Sequence, residues 1–525
     1  MKRSYLSVFC MALSFLVFGS SWAAEFAATK SRPAALPAGV EYQVKDKVVE
    51  IELSEYAGYA GLIAANGGLE PTEDSVFFKK HGFKLKIALS EEESWPQLNQ
   101  GKMAASATTV DVLPVYGRDF FVTVPALIGY SRGADGLVVR SDVRKVNALK
   151  GKTLVTAQFT EADFFIRYLA FEAGLPINML ADVKAAPVAD KLNLVFCDDG
   201  FSAGDLLLDD VKSGRNRLAG CVTWAPKTTE VVQASDGKCA ILATSRNVLI
   251  VADVLIVNRG FAQKNPAMVL GLADGLLEGN RMVRRDPKTH LGVVAKAFGW
   301  DAAKAEAEMA KVHLANLAEN LAFFSGSITS AGSFGGIYQA AVLSYGELLR
   351  NPPDSDFFQD TQHLKALEKL GGSAGEQVSI APIRTEPGAT GGVEKDPLLS
   401  KDIRFLFEPN SAVLDLRDPE NLQRLDSIKR LLQVSPGSLV FLRGHVDDTK
   451  VATFRKQGGE QLVRRMALEA MELSKNRALE IKRLLVDRCG VAAERLDATG
   501  RGWEEPTGKD GAQNRRVEVQ WFTVE

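Results

Sequence analysis

The chain has 525 residues, 46% hydrophobic and 24% charged, with 45 glycines and 20 prolines, which excludes a disordered, collagen-like or all-helical coiled-coil protein. At roughly 100 to 200 residues per domain the length accommodates about three compact units. A formal charge of -2 gives no basis for binding nucleic acid or an anionic membrane surface, and nucleic acid is excluded as a partner.

Residues 1–23 read as an export signal. Lys2 and Arg3 open it, the apolar run Leu6–Phe18 is 13 residues long, and Ser21-Trp22-Ala23 supplies a small-x-small cleavage pattern. Its removal leaves the mature chain at -4, mildly acidic. No later stretch reaches the roughly 18 uninterrupted apolar residues of a membrane span. The protein is therefore expected in the periplasm, where cysteines can pair. Four cysteines remain: Cys197, Cys221, Cys239 and Cys489. Their pairing is open, Cys221 to Cys239 being the shortest bridge and buried free thiols the alternative. No C-x-x-C spacing and no histidine doublet occur, so neither a metal nor a cofactor is expected.

Residues 24–44, with Pro33, Pro37 and Gly39, read as a flexible leader. From Val48 strands alternate with helices. Val49, Ile51 and Leu53 alternate with charged residues, and Lys84–Leu89, Met103–Thr108, Gly136–Arg140 and Thr153–Thr156 are further strand candidates, with a helix over Ala162–Ala173. This pattern argues for α/β layers over residues 45–350, with a second lobe at about 141–250. Asn351-Pro352-Pro353 stops a helix, and the glycines and prolines that follow mark 351–399 as a linker. Residues 400–525 form a small α/β sandwich: Ile403, Phe405 and Phe407 alternate, Leu422, Leu425, Ile428 and Leu432 have helical spacing, and Val517, Val519 and Trp521 share one face of a last strand.

Four patterns lie on that small unit in a fixed order: Phe407-Glu408-Pro409-Asn410-Ser411, Gly444-His445-Val446-Asp447, Leu473-Ser474 with Arg477-Ala478, and Asn514-Arg515-Arg516-Val517-Glu518. Together they resemble the OmpA-like peptidoglycan-associating domain. A ligand bearing an ammonium and a carboxylate needs an acid and a base on rigid elements, and the guanidinium fork meets a carboxylate best. The resemblance implies that Asp447 holds the amine and Arg477 the carboxylate of diaminopimelate in a cell-wall stem peptide, with Asn410 and Arg515 at further contact positions. A structural ion pair is the plainer alternative for Asp447 and Arg477, and solvated surface charge for Arg515 and Arg516. His445 reads as a supporting residue, not a metal ligand. An extra charged segment, Lys450–Leu468, departs from the family spacing, and Asp448-Thr449-Lys450 stands where glycine and asparagine are customary.

Ser54-Glu55-Tyr56, the run Gln100–Thr109, Leu149-Lys150-Gly151-Lys152-Thr153, Trp224-Ala225-Pro226 and the return segment Val254–Pro266 resemble, in order, the nitrate, sulfonate and taurine type of periplasmic solute-binding protein. The resemblance implies a two-lobed clamshell. Strand-to-helix turns in such a fold aim helix N-termini into a shared cleft, which suits small anionic or zwitterionic solutes. Tyr56, Thr108, Thr109, Thr160 and Trp224 are the candidate ligand contacts. Thr160 reads equally as a helix cap, Thr108 and Thr109 as satisfying their own backbone, and Tyr56 and Trp224 as core.

Neither a nucleophile elbow, paired metal ligands nor a Walker lysine is present, so no catalytic residue is assigned. The sequence thus reads as an exported, non-enzymatic receptor: a solute-binding protein held to peptidoglycan by its C-terminal unit, delivering to an inner-membrane ABC permease as the resemblance implies. The alternative is a cell-envelope structural or interaction protein whose clamshell has lost its ligand.

Overall fold

The computed structural model describes residues 24–90, 94–246, 248–371, 375–380, 398–403, 405, 407, 411–507 and 514–522. The export signal expected at 1–23 and the candidate contact Asn410 lie outside them.

Three sheets organise the chain. The first runs, in spatial order, Val312–Leu314, Val122–Ser131, Ala252–Asn258, Ala105–Thr109, Val48–Leu53 and Lys84–Leu89. The second runs Phe26–Ala27, Leu192–Cys197, Thr153–Ala157, Gly220–Trp224, Asp135–Arg140 and Cys239–Thr244, with Ile177–Met179 beside Leu192–Cys197. The chain passes from the first sheet to the second between Ser131 and Asp135, and returns between Thr244 and Ala252. These two crossings make a clamshell of two α/β lobes, as expected from the alternation of strand and helix patterns. Central strands such as Val122–Ser131 and Ala252–Asn258 are buried at every position, the pattern of sheets covered on both faces.

The third sheet orders Leu399–Ile403, Val517–Phe522, Leu439–Gly444 and Leu496–Gly500. Helices Pro419–Val434 and Val451–Asp487 cover it. Val517, Val519 and Trp521 are at most 2% exposed, so the alternate positions of that strand supply the core. The charged segment Lys450–Leu468 is the first part of the long helix, which departs from helical geometry at Gly458 and Gly459.

Two stretches are more structured than their composition implies. The leader 24–44 is docked: Phe26–Ala27 pairs antiparallel with Phe196 and Cys197, Gln158 exchanges hydrogen bonds with the Lys30 backbone, and Val40 N donates to the Asn99 carbonyl at 2.7 Å. Prolines there fix an extended backbone, and extended chain can satisfy its polar groups on a sheet edge whose residues come from far along the sequence. The early part of the expected linker is also integral, since Gln359 bridges to Val124 and the helix Gln362–Lys369 buries His363, Leu364 and Leu367.

All four mature cysteines are free thiols. Cys221 and Cys239 sit on strands flanking Asp135–Arg140, opposite Val138 and Arg140, so a whole strand separates the pair that was shortest in sequence.

Candidate functional site

A cleft of about 400 Å³ lies between the two lobes and is lined from both sheets. Tyr56, Thr108, Thr109, Thr160 and Trp224 all reach its wall. Each comes from a strand end or the turn after it, where side chains of a covered α/β sheet can still meet solvent.

The turn carrying Thr160 is braced from behind. Phe159 adopts φ +69°, unfavourable for a bulky residue, and its N–H donates to Asp163 Oδ2 at 3.0 Å. Asp163 also receives Arg167 Nε at 2.7 Å, both side chains being at most 4% exposed. Arg167 lies over the Tyr345 ring at 5.1 Å, and Tyr345 Oη donates to the Thr160 carbonyl. Thr160 Oγ1 itself donates to the Ala157 carbonyl at 2.9 Å and makes no side-chain cap. Its hydroxyl therefore serves its own turn first.

Trp224 needs a glycine beneath it. A Cβ at Gly200 would fall 2.0 Å from the Trp224 ring, so only glycine at the start of helix Gly200–Lys212 lets that ring lie against the cleft wall. Tyr56 stacks edge-on with Tyr59 at 5.2 Å, and Tyr59 Oη donates to Asp253 Oδ1 at 3.4 Å.

Asp135 and Asp253 are the residues that sequence reasoning missed. They are 3% and 4% exposed and sit where the chain crosses between lobes. Asp135 N–H donates to the Ser131 and Ser245 hydroxyls at 3.2 Å each, and those hydroxyls are 2.6 Å apart. Burial pushes the Asp135 carboxyl up to about 6. Burial, then the negative charge of Asp135, holds Asp253 well above the usual carboxylate range. The available signal was a lone acid inside an otherwise apolar strand, Val251-Ala252-Asp253-Val254-Leu255, since an aspartate is rarely buried without a purpose.

The cleft's charge runs against the anionic half of the expectation of an anionic or zwitterionic solute. Its wall carries Glu52, Asp135, Glu161, Asp198, Asp199 and Asp253, against one base, the exposed Lys30. At the N-terminus of helix Gly200–Lys212 the chain's own carboxylate is already in place: Asp199 accepts from Ser202 N and Oγ.

The second candidate site lies on the C-terminal sandwich. Strands Leu439–Gly444 and Leu496–Gly500 run parallel, with Gly444 opposite Gly500. A Cβ at either would strike the long helix, 2.1 Å from the Ser474 carbonyl and 2.4 Å from that of Met471. Helix and sheet thus touch backbone to backbone, which sets Arg477 beside the loop bearing Asp447. Ser474 Oγ accepts from Gly502 N at 3.0 Å and pins the neighbouring loop.

Asp447 Oδ2 receives Arg515 Nη1 at 3.0 Å, and Oδ1 takes the Thr449 hydroxyl. Partial burial pushes its carboxyl up, but Thr449 and Arg515 outweigh it and hold the group below its ordinary value. Arg477 donates to the Ser411 carbonyl at 3.1 Å and lies over the Phe407 ring at 5.0 Å. Burial and then Arg515 make its cation less favourable, while Asp447 opposes them, so the three charges share one field. The direct partner of Asp447 is Arg515, not Arg477. Arg516 points inward, its side chain 3% exposed beside Glu518. His445 is buried next to it with no metal-ligand cluster among the described residues.

Residues 406–520 match the OmpA family. Outer membrane protein Omp38 of Acinetobacter baumannii strain ATCC 19606 is 29% identical over 173 residues, 31% of this chain and 43% of the relative; the chain thus spans less than half the length of the curated relatives it matches. Among solved structures, the body is similar to the alkanesulfonate-binding protein SsuA from Xanthomonas axonopodis pv. citri bound to MOPS, at 14% identity, 61% of this chain, all of that one and a TM-score of 0.45. It is also similar to the periplasmic nitrate-binding protein NrtA from Synechocystis PCC 6803, at 10% identity, 64% of this chain, 91% of that one and a TM-score of 0.44.

Proposed function

We propose that this chain, which ends in an OmpA domain, is an exported envelope receptor that seats a small polar solute between its lobes and is anchored to peptidoglycan by its C-terminal unit. The functional parts are the body, 45–350, and the wall-binding unit, 400–525. The observation that carries the reading is the convergence of Tyr56, Thr108, Thr109, Thr160 and Trp224, drawn from both lobes, on one cleft. Solute binding stabilises the closed arrangement because contacts to both lobes exist only there. The reading is non-catalytic, and an inner-membrane permease would accept the released solute.

At the wall, Asp447 takes the amine of diaminopimelate, displacing the half-exposed Arg515, and Arg477 takes a carboxylate with its fork held by Ser411 and Phe407. Asn410 and Arg515 complete the contacts.

Native mass spectrometry of the protein as isolated tests the receptor half. The expected result is a population heavier than the denatured protein by one small molecule. A single unliganded mass from every preparation, including one incubated with periplasmic extract, would remove the receptor and favour a scaffold.

A further inference from the structure

The cleft contains two cross-strand pairs that its overall acidity does not explain. On the second sheet Asp135 lies directly opposite Trp224. On the first, Asp253 lies directly opposite Thr109. Residues so paired project to the same side, with Cβ atoms about 5 Å apart, so each lobe presents a carboxylate with a fixed neighbour to the same cleft. Neither Asp135 nor Asp253 meets a lysine or arginine among the described residues. Thr109 is 5% exposed, and its Oγ1 has no hydrogen-bond partner among the described residues. A buried hydroxyl left unpaired costs free energy, and ionising two buried acids without a counter-charge costs more, which holds both above the ordinary carboxylate range. A bound positive group relieves all three.

The walls suit that group. Tyr56, Tyr59 and Trp224 contribute aromatic faces to the same cleft, and rings beside carboxylates attract ammonium ions through quadrupole and charge together.

Building on the receptor reading, we propose that the solute is a small organic cation whose ammonium group sits between Asp135 and Asp253, with Thr109 Oγ1 as a further acceptor and Tyr56, Tyr59 and Trp224 as its walls. Each lobe supplies one carboxylate, so the cation also bridges the lobes in the closed state.

The test is thermal unfolding of the full chain at pH 7.5 with putrescine, choline, ethanesulfonate or sulfate. At about a hundredfold excess over Kd, putrescine or choline should raise the melting temperature by about 5 °C, with no rise from the two anions. Asp253→Asn should fold at least as stably as the parent, since it removes a buried acid that has no counter-charge, and should bind the amine at least tenfold more weakly; Thr109→Val serves the same purpose should Asp253→Asn unfold. Because Asp135, facing Asp253, Tyr56 and Ser131, titrates at about 6, amine binding should weaken as pH falls through 6 and should release protons to the buffer. A response to ethanesulfonate or sulfate alone overturns the cation while leaving the receptor standing. Equal amine binding by Asp253→Asn and Thr109→Val, or no response to any probe, also overturns it, and a small molecule in the native mass spectrum then decides whether the receptor survives.

Discussion

His445 lies in the C-terminal unit with its side chain 1% exposed, 3.8 Å from Glu518 Oε2 and beside Arg516. Burial, and after it the Arg516 cation, hold its imidazolium down to about 4. An unfolded histidine titrates near 6.5. Between the two values the unfolded chain binds the proton and the folded chain does not, so this residue's contribution is complete above about 6.5 and is lost as pH falls toward 4. The prediction is that urea midpoints fall from pH 7 to pH 4.5 more steeply in the parent than in His445→Gln. Equal slopes would show that the histidine is not held neutral by its surroundings. At this scale the sequence was informative where a side chain's company is local. Trp224 and Thr160 stand next to turn residues; both were candidate ligand contacts and both line the cleft. Asp135 and Asp253 escaped because each acquires its meaning from the other, 118 positions away and on the opposite lobe.

Elements meet where glycine allows them to. Gly444 and Gly500 let the long helix rest on the third sheet, and the Cβ clash distances of 2.1 and 2.4 Å are to backbone, which cannot rotate away. Gly500→Val should therefore cost about 3 kcal/mol or more in stability and shift Arg477 relative to Asp447, measured by denaturant unfolding and by binding to purified sacculi. A valine variant as stable as the parent would mean that helix and sheet do not touch there. The same contact explains why the glycine of Gly444-His445-Val446-Asp447 and the serine of Leu473-Ser474 were conspicuous in the sequence. The strands Val48–Leu53 and Lys84–Leu89 were equally legible, since alternation of apolar and charged residues is a local signal. The leader was not, because its prolines and small residues read as loose and its partner strand, Leu192–Cys197, lies far along the chain. Partnership at a sheet edge has no local signature.

The C-terminal unit does not hang free of the clamshell. Asn147 exchanges hydrogen bonds with the Ser400 backbone at 3.0 and 2.8 Å, Lys401 pairs with the buried Glu172 at 3.3 Å, and Val434 accepts from Leu249 N at 2.7 Å. Leu249 lies on the return crossing between the lobes, two residues from Val251 in the cleft wall. Docking therefore falls on the segment that joins the two lobes, next to the cleft wall. Composition could mark the glycine- and proline-rich join but not the surface against which the unit packs, because that surface is assembled from Asn147, Glu172, Leu249 and Ile328, each from a different part of the chain. The proposed anchoring requires that the C-terminal charges grip the wall. Calorimetric titration of a diaminopimelate-containing stem peptide into the full chain measures that directly: one site per chain is predicted, abolished by Arg477→Gln and weakened at least tenfold by Asp447→Asn, while heat-silent parent protein or undiminished binding by Arg477→Gln would contradict it.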